Sequence, residues 1–445
     1  MTKVYHINTI IGKLWTYFSN IFKSETNPTF QHLFDLILSI LALDGYQSVK
    51  FNFEHFIKED TPYHLKSYYF TLNESRINTD EWTRMFIRAA LHILPVDNKQ
   101  PLILSVDDTM IEKSGRHFEH CSKLYDHAMH NGSHYLYGHC FVSVLLSIPV
   151  CDTNNRHYIH IPVACRMWTK EKSKLEIATE LVELTMEAIG SKHSVYLCCD
   201  SWYPKGEVLS LPGRFENLEM ICSVRSDTVL YDLPPARTGK RGRPRVYGEK
   251  LSLEDFELRE VPGSSCQAGC RKVLTNLWGT QEVFAIVTQP LSGGPKRLFL
   301  SSRLPEKESF EAEYLPTSAQ AFMKADPMLL PLAMYSLRWN IEIAFYEQKM
   351  FWSLGNYKLQ SRVGMERLLN LLGIVYASMK LLPYWEPTFA GLKTSSPQQI
   401  RFFLGDLIRK ERFLSTLANQ SDRKNIHLNL AECFKYLTSA LFSVA

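Results

Sequence analysis

Two short apolar runs in this 445-residue chain end in aspartates: Leu102 to Val106 (LILSV) leads into Asp107-Asp108-Thr109, and Val195 to Cys199 (VYLCC) leads into Asp200. An acid at the end of a buried strand is costly unless it binds a cation, caps a helix or reaches solvent. Placed on neighbouring strands, Asp108 and Asp200 can hold one hard cation through oxygen ligands. A third acid lies in the segment after Pro327 (MLLPLAMYSLRWNIEIAFYEQKMFW). On a helix at about 100° per residue, Tyr335, Arg338, Glu342 and Lys349 share an arc of roughly 60°. Leu337, Ile341, Ala344 and Phe345 form the adjacent apolar face. With Glu342 completing three carboxylates, the set suits phosphodiester chemistry on two divalent ions, one activating the attacking water or 3′-hydroxyl and one stabilising the leaving oxygen. Tyr335, Arg338 and Lys349 would hold DNA phosphates beside it. The plainer use of the same face is a solvated surface on which Arg338 and Glu342 form a helical ion pair.

The elements that must position these residues follow from the apolar patterning. Residues 1 to about 95 read as helical, with apolar helical patterns over Phe30 to Leu43 and Asp80 to Leu94. A helix-turn-helix unit fits between these two helices, and so does a bundle that only packs on the rest. From Pro101 the pattern changes to strands: Leu102 to Val106, Tyr135 to Ile148, Tyr158 to Trp168, then an amphipathic helix over Lys172 to Ile189, then Val195 to Cys199 and Leu218 to Val224. Strands with acids at two of their ends, interrupted by one helix, predict a mixed α/β sheet. Residues 226 to 305 read as a β-rich insertion, and from Pro327 the chain is mostly helical.

The spacing Tyr335, Arg338, Glu342, Lys349 matches the Y-(2)-R-(3)-E-(6)-K signature of the IS4 superfamily of insertion-sequence transposases. SVDDT (residues 105 to 109) resembles that family's first-acid motif, and LCCDSWY (197 to 203) resembles its second. The basic GRPRVYG stretch and the general layout are similar to the IS701-like branch. The resemblance covers roughly residues 100 to 365. It implies an α/β, RNase H-like catalytic core, a mixed sheet flanked by helices, with a β-rich insertion and helical N- and C-terminal regions. It also implies a catalytic and metal-binding triad of Asp108, Asp200 and Glu342, with Asp107 as the alternative first acid, and two Mg²⁺ ions for which Mn²⁺ substitutes.

The expected function is cut-and-paste transposition on double-stranded DNA: binding of terminal repeats, cleavage at the ends and joining to target DNA by a homodimer. A stand-alone nuclease of the same fold and a non-catalytic, domesticated DNA-binding protein are the rivals. Members of the group often cut through a hairpin and hold a flipped base on an aromatic; Trp278, Trp202 and Tyr314 are candidates. The implied division is 1–98 for end recognition, 99–225 and 306–370 for the two parts of the core, 226–305 for the insertion, and 371–445 for DNA or dimer contacts.

The formal charge of +4, from 50 Lys and Arg against 46 Asp and Glu, is too small to mark a nucleic-acid partner by itself. Basic residues must therefore be concentrated locally. Arg237 to Lys250 (RTGKRGRPRVYGEK) supplies such a place, with Lys240, Arg241, Arg243 and Arg245 in a Gly/Pro frame suited to a minor groove or a phosphate track. Arg401, Arg409, Lys410 and Arg412 near the C-terminus suit DNA contact, subunit contact or a solvated face equally. Histidines 117, 120, 127, 130, 134 and 139 lie near Cys121, but their spacing matches no zinc finger. They fit the rim of a site or a DNA contact, with His139 a core residue. The ten cysteines include no pair of CxxC knuckles and read as reduced thiols of a cytosolic protein. The N-terminus lacks a signal-peptide pattern, and the apolar stretch Leu368 to Leu382 is too short to span a bilayer and reads as a buried helix. A bacterial cytoplasmic protein, nucleoid-associated when bound to DNA, is expected.

Overall fold

A computed structural model describes residues 9–43, 45–115, 117–126, 132–152, 155–235, 245–304 and 310–420. Helices α1 (Ile10–Ile21), α2 (Asn27–Ala42), α3 (Val49–Asn52), α4 (Leu65–Asn73) and α5 (Thr79–Ile93) precede the strands. Then come β1 (Leu102–Glu112), β2 (Ser122–Tyr125), β3 (Tyr135–Asp152), β4 (Asn155–Met167), α6 (Lys174–Ile189), β5 (Val195–Cys199), α7 (Gly206–Ser210) and β6 (Leu218–Val224). Strands β7 (Leu230–Tyr231), β8 (Lys250–Leu251), β9 (Arg259–Glu260), β10 (Cys266–Thr275), β11 (Val283–Pro290) and β12 (Arg297–Ser301) follow. Helices α8 (Thr317–Ala325), α9 (Leu330–Tyr335), α10 (Asn340–Phe351), α11 (Arg362–Trp385) and α12 (Pro397–Gln420) complete the chain as described.

The sheet is mixed, as the sequence predicts. Strand β1 runs antiparallel to β3 and parallel to β5, β5 runs parallel to β6, and β4 pairs with β3. A central strand covered on both faces is apolar on both, which is why LILSV, with Ser105 its one small polar residue, shows no alternation. This order, with helices on the faces, is the arrangement of an RNase H-like core. The β-rich segment after Ser226 does not fold away from it: β12 pairs antiparallel with β6, and β11, β10, β7 and β8 continue outward as one 12-stranded sheet with β2 and β9.

Helix α6 starts two residues later than its apolar pattern suggests, because Ser173 and Glu176 form a reciprocal capping box there. Helix α11 is the buried helix predicted over Leu368 to Leu382, and it covers the edge strand β4. Asn370 accepts from the Cys165 N–H and donates to the Cys165 carbonyl, both at 3.0 Å, so the edge finds partners in a side chain. Among the described residues no helix is long and apolar enough to cross a membrane.

The first and last of the described helices pack on each other. Every residue of α2 from Phe30 to Ala42 is buried. Glu411 of α12 accepts from the Ile10 N–H at 2.7 Å, Arg409 donates to the Ala42 carbonyl, Arg412 pairs with Asp60, and Arg401 donates to the Phe351 carbonyl at 2.7 Å. Three of the four C-terminal basic residues singled out in the sequence thus hold the chain to itself.

Candidate active site

Side chains alternate across a strand, so neighbours in sequence face opposite sides of the sheet. Ile103, with Tyr196 and Cys198 of β5, packs against Leu330, Ala333, Met334 and Leu337 around α9. Leu102, Leu104 and Val106 pack into the main core on the other side. Asp107 has the parity of Ile103, and Asp108 has that of Val106. The parallel register Leu102↔Val195 to Val106↔Cys199 then sets Asp107 beside Asp200, each one residue past the ladder.

Asp107 accepts from the backbone N–H of Asp108 at 2.8 Å and from Arg338 Nη1 at 3.1 Å. Burial, and next the negative charge of Asp200, push its carboxyl up to about 7 against the pull of Arg338. Asp200 accepts the Trp202 N–H on Oδ1 at 3.0 Å, and the Tyr203 N–H reaches its carbonyl at 3.3 Å, which closes a turn around it. Glu342 enters from the first turn of α10 and accepts from Arg338 Nη2 at 2.5 Å. Arg338 therefore spans Asp107 and Glu342.

The helix of the Tyr-Arg-Glu-Lys pattern is not continuous. A 3₁₀ turn over Ser336–Trp339 separates α9 from α10, and the tighter winding changes the rotation per residue between Tyr335 and Glu342. Tyr335 donates its hydroxyl to the Cys199 carbonyl at 3.2 Å, and its ring meets Phe299 edge-on at 5.1 Å. Lys349 donates to the Met110 carbonyl at 2.9 Å. Both tie the helix to the ends of β5 and β1.

Asp108 stands on the other face. Its Oδ2 accepts from Lys174 Nζ at 2.7 Å and from the Cys140 thiol at 3.1 Å, and its Oδ1 accepts from the Tyr203 hydroxyl at 3.0 Å. The expected trio of Asp108, Asp200 and Glu342 is not gathered on one side; Asp107, Asp200, Arg338 and Glu342 are.

Asp107 and Asp200 suit a hard divalent cation, since both offer oxygen donors and their mutual repulsion, visible in the raised Asp107 carboxyl, is relieved by positive charge. Glu342 is held from them by the guanidinium between. Among the described residues no three His, Cys, Asp or Glu side chains stand together as one metal-binding group.

An open cleft beside the acids is lined by Asp200, Ser201, Lys296, Arg297, Arg338 and Trp339. Lys296 and Arg297 were missed in sequence; they stand just before and at the start of β12, whose place beside β6 no local pattern reveals. Of the other expected contacts, Arg245 is exposed on the connection between β7 and β8, while Lys240, Arg241 and Arg243 lie outside the described residues. Among the three candidate aromatics Trp202 is exposed two residues from Asp200, Tyr314 is buried with its hydroxyl on Asp97 at 2.8 Å, and Trp278 is packed against the core. His139 is a satisfied core residue, bonded to the Tyr357 hydroxyl at 2.7 Å and the Glu119 carbonyl at 2.9 Å. His117, His120 and His134 are exposed, and His127 and His130 lie outside the described residues.

No curated protein matches the chain. Residues 54–272 match the DDE superfamily endonuclease family model, a span that takes in Asp107 and Asp200 and stops short of Glu342. The match and the mixed sheet together support a DDE-type nuclease or transposase, a class that typically works with divalent metal ions, without distinguishing the IS4 or IS701 branches.

Proposed function

We propose that the chain is a DNA transposase that cleaves the ends of a mobile element and joins the 3′-hydroxyl to target DNA, with Asp107, Asp200 and Glu342 as its acids. The observation that carries this reading is the pair Asp107 and Asp200, side by side past the ladder of two parallel strands, joined through Arg338 to Glu342. Asp107 takes the place given to Asp108 in the sequence, because only Asp107 faces Asp200 and the Glu342 helix.

Asp107 and Asp200 would hold a divalent ion, Mg²⁺ or in its place Mn²⁺, which supplies positive charge to the attacking and leaving oxygens of the phosphodiester. A two-ion site needs Glu342 as well, and Glu342 becomes available to it when Arg338 releases its contact. Arg338 is then free to fork onto a phosphate, the geometry its planar guanidinium suits. Tyr335 and Lys349 hold the helix against β5 and β1, which fixes where Glu342 enters. Arg297 and Arg245 offer positive charge to double-stranded DNA. Joining two ends requires two active sites, so a homodimer is the working assembly.

The test is Mg²⁺-dependent cleavage of the element's own flanking DNA by wild type, Asp107→Asn, Asp200→Asn and Glu342→Gln. Equal cleavage by all four ends the reading. The endonuclease description of the matching family keeps a stand-alone nuclease as the rival. Pre-cut ends separate the two, since a transposase joins them to target DNA and a nuclease does not.

A further inference from the structure

We propose that Asp108 is a positioning residue, whose carboxylate latches the end of β1, and with it Asp107, to the turn that carries Asp200. The proposal rests on the reading of Asp107 and Asp200 as the acids of the site. The backbone ladder between β1 and β5 ends at Val106 and Cys199, one residue before each acid. The bond from the Tyr203 hydroxyl to Asp108 Oδ1 at 3.0 Å is the link that follows it. Tyr203 belongs to the turn closed around Asp200 by the Trp202 and Tyr203 N–H groups. One hydrogen bond on the far face of the sheet thus joins the residue next to one acid to the residue three beyond the other.

Two further donors hold the latch itself. Lys174, the first residue of α6, reaches Asp108 Oδ2 at 2.7 Å, and the Cys140 thiol of β3 reaches the same oxygen at 3.1 Å. The ammonium lies 5.8 Å from the Trp168 ring and 5.4 Å from the Trp202 ring. A carboxylate this shielded, with its side chain 16% exposed, is costly to bury without a charged partner. Lys174 supplies that partner, and it also keeps a second negative charge from adding to the repulsion between Asp107 and Asp200. Residues behind metal ligands that fix their orientation commonly change ion affinity or activity by about 10- to 100-fold when removed.

The test uses the full chain and three variants, Asp108→Ala, Asp108→Asn and Tyr203→Phe. Hydrogen exchange at the amides of residues 200 to 203 reads the turn directly, and calorimetric titration of the metal-free protein with Mn²⁺ reads the acids. Asp108→Ala and Tyr203→Phe are expected to speed exchange in the turn and to weaken Mn²⁺ binding by about 10-fold or more. Asp108→Asn leaves one oxygen for three donors and unpairs Lys174, so its turn should exchange faster than in wild type but more slowly than in Asp108→Ala. Unchanged exchange at 200 to 203 in Asp108→Ala and Tyr203→Phe overturns the latch. So does a rise in exchange spread evenly over the sheet, which marks general destabilisation. A folded wild type that takes up no Mn²⁺ refutes the assignment of the acids instead, and the exchange data still decide the latch.

Discussion

Arg338 donates to Asp107 at 3.1 Å across 231 residues of chain, and its other terminal nitrogen reaches Glu342 one helical turn away at 2.5 Å. The three side chains are all partly shielded, with Arg338 at 12%, Asp107 at 19% and Glu342 at 34% exposure. The guanidinium therefore works as the fastener between the strand that carries Asp107 and the helix that carries Glu342.

Removing that fastener separates two effects. Arg338→Gln should lower stability by about 1 to 3 kcal/mol, since two shielded carboxylates lose their partner. Arg338→Lys should recover part of the stability and little of the cleavage, because an ammonium cannot fork between two carboxylates or onto a phosphate. Urea unfolding and a cleavage assay on the same variants decide it; full activity in Arg338→Lys refutes the bidentate role.

The raised carboxyl of Asp107 predicts a pH dependence of the metal-free protein. Its folded value of about 7 lies above the ordinary aspartate value of 3.8, so between those values the folded state binds the extra proton. Stability from this group is present at about pH 4, is lost as pH rises to about 7, and stays lost above it. Asp107→Asn removes the penalty and should stabilise the metal-free protein at pH 8, by up to roughly 4 kcal/mol, with no gain at pH 4. Cleavage should disappear in the same variant. Denaturant titrations at the two pH values check the sign.

Asn370 tests the cover on the sheet edge. Replacing it by Leu leaves the N–H and carbonyl of Cys165 without the bonds at 3.0 Å that α11 provides. A loss of about 2 to 4 kcal/mol in urea unfolding is expected. A neutral result shows that the edge finds other partners.

Arg297 tests the cleft. It is exposed beside Asp200 on the first residue of β12. Arg297→Ala should weaken binding of duplex DNA evenly across sequences and reduce the slope of log K against log salt by about 1. An unchanged slope in a filter-binding or anisotropy titration removes the cleft from the DNA path.

The acids were readable in the sequence as the ends of two apolar runs. LILSV before Asp107 and VYLCC before Asp200 are runs of equal length, and in parallel register that equality pairs Asp107, not Asp108, with Asp200. The signal is present in the chain, but it acquires meaning only once the two runs are known to be parallel neighbours. The helix with Tyr335, Arg338, Glu342 and Lys349 is likewise local, apart from the 3₁₀ turn that breaks it. Lys296, Arg297 and the Tyr203–Asp108 bond are different, for they depend on β12 joining β6 and on a loop folding behind β1.

From its sequence alone the chain determined the apolar runs, the acids at their ends and the helical face of the third acid, because strand and helix periods are set by nearest neighbours. Only the tertiary structure set which aspartate faces Asp200 and the Glu342 helix. Alternation puts Asp107 and Asp108 on opposite faces wherever the strand lies, but the side on which the Glu342 helix packs is fixed by contacts more than 200 residues away.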